Sequence, residues 1–205
     1  MNSASERPNI LFILTDQQTL RAMSACGNPY LHTPNLDGLA EAGLRFERSY
    51  CASPVCSPSR HCLFTGRMAH ETGVEVNGHR LKPGIPFFGE VFQNAGYEVA
   101  YAGKWHMWGR HSFDFLGPEY PEVVNRRYGT ETDAVWAGEA VEFLKRPHDR
   151  PFLLAVSLHN PHDICHWIMD RRHLVEEPES GNLPPLPDNF EPDPDEPEFI
   201  TTCRE

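Results

Sequence analysis

Asp16 and Gln17 directly follow the apolar run Asn9 to Thr15 (NILFILT). A carboxylate placed there suits a hard cation bound through oxygen, and an amide oxygen can join it without adding charge. The alternative is a carboxylate that only caps the next turn. Cys51 to Gly66 reads CASPVCSPSRHCLFTG, and its Ser57-Pro58 is a helix start. Cys56 is therefore expected just before the first turn, where backbone N–H groups and the helix dipole favour negative charge. Arg60, one turn on, can form a fork with an oxyanion. Three readings of Cys56 stay open: a thiolate activated by the helix end, a modified residue holding an anion, or a small buried hydrophobe.

Two further clusters each follow an apolar stretch. Lys104 and His106 come after Tyr97 to Ala102. Residues two apart in extended chain share a side, so both can enter one site while Trp105 points away. A cation beside a histidine suits an anionic group and a proton transfer; the alternative is a surface lysine and an unrelated histidine. His159-Asn160-Pro161-His162-Asp163 comes after Pro151 to Leu158 (PFLLAVSL). A neutral imidazole can protonate a leaving alkoxide near physiological pH, and His162 is the candidate. His159 and Asp163 either point inward or serve the structure. His32, His61, His70, His79, His111, His148, His166 and His173 read as ordinary surface histidines.

The elements that must position these groups alternate. Asn9 to Thr15, Leu44 to Tyr50, Tyr97 to Ala102 and Pro151 to Leu158 read as strands. One helix opens at Thr33, which caps it, and Pro34, carries Leu36, Leu39 and Ala40, and ends at Gly43. Others run from Ser57 through Phe64 to a stop at Gly66, and from Pro86 to Ala95, ended by Gly96. Thr132 to Lys145 has Ala137, Val141 and Leu144 on one face. The order predicts an α/β fold, a mostly parallel sheet flanked by helices, with ligands at the carboxyl ends of the strands.

Composition narrows the classes. The chain has 205 residues, 40% hydrophobic and 23% charged, and a net charge of −11. That acidity argues against nucleic acid as a partner, and the longest apolar run, Ile10 to Leu14, is too short to span a membrane. The N-terminal MNSASERPN has no basic and apolar leader. A cytoplasmic location is expected, or a periplasmic or secreted one if a leader has been removed. None of the six cysteines has C-x-x-C spacing, so most are expected to be reduced and structural. Residues 176–205 are rich in proline and acid and read as a surface loop after a domain over residues 1–175.

Cys56-Ser57-Pro58-Ser59-Arg60 resembles the C-x-P-S-R signature of the type I sulfatases, members of the alkaline phosphatase superfamily. PNILFILTDQ, TPNLDGLAEAGLRFERSY, GYEVAYAGKWH and PFLLAVSLHNPH resemble further motifs of that family, in its order, from about Pro8 onward. The resemblance implies an alkaline-phosphatase-like fold and sulfate ester hydrolysis, with a sulfated sugar or other sulfate ester as substrate. It implies a Cα-formylglycine made from Cys56 by a formylglycine-generating enzyme, and a divalent cation, Ca2+ before Mg2+ or Mn2+, held by Asp16, Gln17 and the modified Cys56. Arg60 would hold the hydrated formylglycine, Lys104 would stabilise sulfuryl charge, His162 would protonate the leaving alcohol, and His106 would assist release of sulfate.

Two departures matter. Many sulfatases carry a second aspartate where this chain has Gln17. The family's second metal-binding pair lies further downstream than this chain extends, so the 205 residues alone are expected to be inactive. Asp188-Asn189, within the Pro-rich stretch, follows no strand and is rejected as that pair. Two alternatives remain: a phosphonate monoester or phosphodiester hydrolase of the same superfamily, and a truncated, non-catalytic binding member.

Overall fold

The computed structural model describes residues 7–108, 112–118 and 129–165, with a few isolated positions beyond. His111, His166, His173, Asp188-Asn189 and nearly all of residues 176–205 lie outside that description. The chain divides into two compact units. One comprises Met1–Thr19 and Arg45–Leu174, the other Leu20–Leu44 and Val175–Glu205.

The larger unit holds a four-stranded, wholly parallel sheet of β1 (Ile10–Asp16), β2 (Glu98–Gly103), β3 (Asp114–Leu116) and β4 (Phe152–Pro161), in the order β1-β4-β2-β3. The expected α/β fold is the observed one. β4 is central and buried on both faces, as its unbroken apolar run requires. Its residues alternate between two layers. On one side Leu153 and Ala155 join Val99 and Tyr101 of β2 and the aromatic residues Phe64, Phe87, Trp105 and Phe113. On the other, Phe152, Leu154 and Val156 join Ala100 and Ala102 against Trp136, Ala140 and Phe143. The small alanines of β2 let the helix over that face come close.

That helix, α5 (Gly129–Lys145), starts earlier than expected and presents a different face. It buries Trp136, Ala140 and Phe143, while Val141 and Leu144 are 44% and 38% exposed. Both stripes fit a 3.6-residue period, and the one with the larger aromatic area went inward. Among the described residues of this unit the other helices are α2 (Cys56–Thr65), α3 (Ala69–Thr72) and α4 (Phe88–Asn94). α2 ends where Gly66 takes the left-handed conformation and its N–H returns to the Cys62 carbonyl.

The strand expected over Leu44 to Tyr50 is absent. Leu44, Phe46 and Tyr50 are 90%, 77% and 86% exposed, and none of the four described strands pairs with this segment. Alternation alone does not make a strand without a ladder partner. β3 was not expected from the sequence, and β4 runs on to Pro161, so His159 and Asn160 sit inside its last turn of pleat. In the smaller unit, α1 (Pro34–Ala42) starts with Pro34 as expected, but the Thr33 hydroxyl does not cap it. That hydroxyl donates to Asp37 at 3.1 Å and also accepts the Ser24 N–H at 3.0 Å.

β2 ends at Gly103 with φ +108°, directly against Ser157 of β4. A Cβ there would lie 2.0 Å from the Ser157 carbonyl oxygen. Gly103→Ala is therefore expected to destabilise by about 2 kcal/mol or more, through strain and backbone collision. Gly138→Ala, in α5 with nothing within 4 Å of the added carbon, is expected to stabilise by about 0.5–1 kcal/mol. Urea midpoints of the two variants measure the contrast.

Candidate active site

Asp16 closes β1, Arg60 lies in the first turn and a half of α2, Lys104 follows β2, and Ser157 lies in β4. These elements converge at the carboxyl end of the sheet. The Lys104 ammonium pairs with the Asp16 carboxylate, and Arg60 Nη2 lies 3.4 Å from the same oxygen. Arg60 Nη1 donates to the Lys104 carbonyl at 2.7 Å and to Ser157 Oγ at 2.8 Å, with the Tyr101 hydroxyl at 3.4 Å. Arg60 and Lys104 are 3% and 1% exposed. Burial alone would raise the Asp16 pKa. The hydrogen bond and charge of Lys104, then Arg60 and His162, outweigh it and hold the carboxyl below its ordinary range.

Cys56 is the first residue of α2 rather than the residue before it. No side chain caps this helix, and Val55, at the cap position, is extended. Asn77 supplies the missing partner: its Oδ1 accepts the Ser57 N–H at 3.0 Å, and its amide nitrogen lies 3.4 Å from Cys56 Sγ. His106 reaches the same sulfur from the loop after β2, with its backbone in the left-handed region at φ +50°. The His106 hydrogen bond lowers the thiol pKa most. Burial opposes it, while Asn77 and the charges of His106 and Lys104 assist, leaving the pKa at about 7. Trp105, between the two site residues, turns away into the core and stacks on Phe87 at 5.8 Å, as alternation requires.

A cavity of about 1050 Å³ opens over this wall, lined by Asp16, Gln17, Cys56, Ser59, Arg60 and His162 among others. His162 Nδ1 lies 3.2 Å from Nε2 of His159. His159 is buried, and burial first, then the Lys104 charge, press its pKa down to about 4 against the pull of Asp163. A neutral His159 can donate its Nε2 proton to His162 Nδ1, which would leave the His162 proton on Nε2. Asp133 of α5 fixes this turn, accepting the His159 and Asn160 N–H groups at 2.6 and 2.9 Å. Gln17 stands at φ 67° with its amide oxygen 3.5 Å from Cys165 Sγ.

All seven residues singled out from the sequence thus come to one region. Asp16, Arg60 and Lys104 touch one another, Cys56 meets His106, and Gln17 and His162 line the same cavity. His159 and Asp163 are both buried. Sequence reading missed Asn77, Asp133, Tyr101 and Ser157. A hydroxyl inside the buried strand PFLLAVSL was a usable signal, since it must find a partner; Asn77-Gly78 reads only as a turn. Two histidines expected on the surface are not ordinary there. His61 is fully buried and bonded to the Ser57 carbonyl at 2.8 Å, and His148 bridges Glu98 and the Phe143 carbonyl. Cys26, Cys51, Cys56, Cys62 and Cys165 are free thiols.

Asp16 and Gln17 bring one carboxylate and one amide oxygen to the cavity wall. These donors fit a hard cation, but such a cation takes six to eight oxygens and the two alone do not complete a site. Among the described residues no group of three His, Cys, Asp or Glu side chains completes it.

The family model described as Sulfatase matches residues 8–191. A Δ4,5-hexuronate-2-O-sulfatase of Bacteroides thetaiotaomicron is 34% identical over 92% of this chain and 41% of its own. An N-acetylglucosamine-6-O-sulfatase of the same organism is 33% identical over 83% of this chain and 33% of its own. The solved structure of a 2-O GAG sulfatase superposes with a TM-score of 0.75 at 32% identity, covering 90% of this chain and 42% of that one. The chain spans about two fifths or less of the length of these relatives.

Two outcomes follow from the electrostatics. Alkylation of the unmodified Cys56 by iodoacetamide is expected to rise with a midpoint near pH 7, and His106→Ala to move that midpoint upward. For His159, the folded pKa of about 4 lies below the model-compound value of 6.5. The unfolded chain therefore binds the extra proton between these values, so stability present at neutral pH falls as the pH drops from 6.5 towards 4. The loss is at most about 3 kcal/mol, and His159→Gln is expected to flatten this limb of the denaturation midpoint plotted against pH.

Proposed function

Because the chain belongs to the sulfatase family, we propose that the enzyme carrying it hydrolyses sulfate esters of sugars with a nucleophile made from Cys56. The observation that supports this most directly is the placement of Cys56. It starts a buried helix and faces a cavity, with His106 and Asn77 on its sulfur and Lys104 close behind. A disulfide or a packing role explains neither the cavity nor the ring of donors. The names of the two sulfatase relatives support a sulfated sugar as the substrate class.

Oxidation of Cys56 to Cα-formylglycine by a formylglycine-generating enzyme would supply a hydrated aldehyde, an oxygen nucleophile in place of sulfur. A divalent cation, Ca2+ in this proposal, would be held by Asp16, Gln17 and the modified residue 56 together with ligands outside the described residues, and would supply Lewis-acid stabilisation of sulfuryl oxygens. The chain's own residues do the rest. Arg60 anchors the base of α2 to Ser157 and the Lys104 carbonyl, which fixes residue 56 in position. Lys104 and Arg60 place two cations at the pocket wall, suited to a sulfate group. His106, hydrogen-bonded to the residue 56 side chain, would assist release of sulfate. His162, oriented by His159, donates its proton to the departing alkoxide.

The test uses the full-length enzyme. Intact peptide mass at residue 56 is expected about 18 Da below that of the thiol. Cys56→Ala is expected to abolish 4-nitrophenyl sulfate hydrolysis with the fold retained; activity within tenfold of wild type would overturn the reading. Faster turnover of a nitrophenyl phosphonate than of the sulfate would move the activity to that ester class. His162→Ala is expected to slow alkyl sulfates about 10²–10⁴-fold, and nitrophenyl sulfate much less, because nitrophenolate leaves without a proton. Equal losses on both would remove His162 as the acid.

A further inference from the structure

Two loops beside Cys56 carry a pair of side chains that the chemistry at residue 56 does not use. Asn77 and His106 both touch the Cys56 sulfur. Three residues past Asn77, the guanidinium of Arg80 lies over the ring of Trp108, 5.0 Å from its centroid. Trp108 is two residues past His106, and its indole N–H donates to the Gly78 carbonyl at 3.2 Å, tying the loops together. Chain length alone keeps Arg80 within about 11 Å of Asn77, and Trp108 within about 7 Å of His106. Trp108 is 48% exposed, and Arg80 is exposed with no carboxylate partner among the described residues, in a chain of net charge −11. Stacking occupies the face of a guanidinium and leaves its N–H fork at the rim, oriented and available for a carboxylate or sulfate.

We infer that Arg80, positioned by Trp108, forms a subsite for a second anionic group on the saccharide, distinct from the ester cleaved at residue 56. This rests on the sugar sulfatase reading and narrows its substrate class to saccharides bearing two anions. The second anion is a further sulfate or a uronic acid carboxylate, both of which fit the same fork.

The experiment measures binding by calorimetry in the full-length enzyme carrying Cys56→Ala, so that bound sugars are not consumed. Two matched pairs separate the sources: N-sulfoglucosamine 6-sulfate against N-acetylglucosamine 6-sulfate, and glucuronate 2-sulfate against glucose 2-sulfate. The dianionic member of at least one pair is expected to bind about tenfold or more tightly. Arg80→Ala and Arg80→Gln are expected to abolish that preference, and Trp108→Ala to reduce it, with thermal melts unchanged. A preference confined to one pair identifies the anion. No preference in either pair, or one that survives both Arg80 substitutions, overturns the inference. Turnover of 4-nitrophenyl sulfate by the enzyme with Cys56 intact is read separately: its absence, with the Arg80-dependent preference present, removes the sulfatase reading and leaves the anion subsite standing.

Discussion

Two cations and one carboxylate buried together at the end of a parallel sheet are the constraint around which this structure is organised. Charges removed from water are costly unless paired and fully hydrogen-bonded. Asp16 answers both Lys104 and Arg60, and Arg60 Nη1 faces the Lys104 carbonyl, Ser157 and Tyr101. Each partner comes from a different element, so β1, α2, β2 and β4 must all be in register for the cluster to close. Among the described residues Asp16 is the carboxylate that pairs with both cations.

The apolar layers make that closure possible. Phe64, fully buried, packs against Phe12, Phe88, Trp105 and Phe113 at ring distances of 6.1, 4.6, 5.8 and 6.1 Å, locking α2 onto the sheet. Cys56 stands two turns before Phe64, so the same packing that holds the helix holds the residue at its N-terminus. On the opposite face, Trp136 and Phe143 seat α5, and Asp133 on that helix then secures the turn bearing His159 and His162. Cys56 and the turn bearing His162 are thereby held by helices on opposite faces of one sheet and line the same cavity.

The neutral state of His159 links packing to chemistry. Its burial disfavours a second proton, so it can act as a fixed donor toward His162 rather than as a competing cation beside Lys104. A charged His159 would add a third positive group beside Lys104 and Arg60.

The sequence by itself determined the parallel α/β order, the Cys56–Arg60 helix start, and the strand-end placement of Asp16, Lys104 and the His159–Asp163 cluster, because these depend on local pattern: apolar runs, proline and glycine stops, and alternation. Tertiary structure decided what local pattern leaves degenerate. Two stripes of α5 satisfy the helical period, and only contact with Ala100 and Ala102 chose Trp136 over Val141. The Leu44 to Tyr50 segment has strand-like alternation, yet a ladder needs a partner and it found none among the described strands. Asn77 is an ordinary turn residue in the sequence; it became part of the site because folding carried it, across 21 residues of chain, to an uncapped helix end and the sulfur of Cys56.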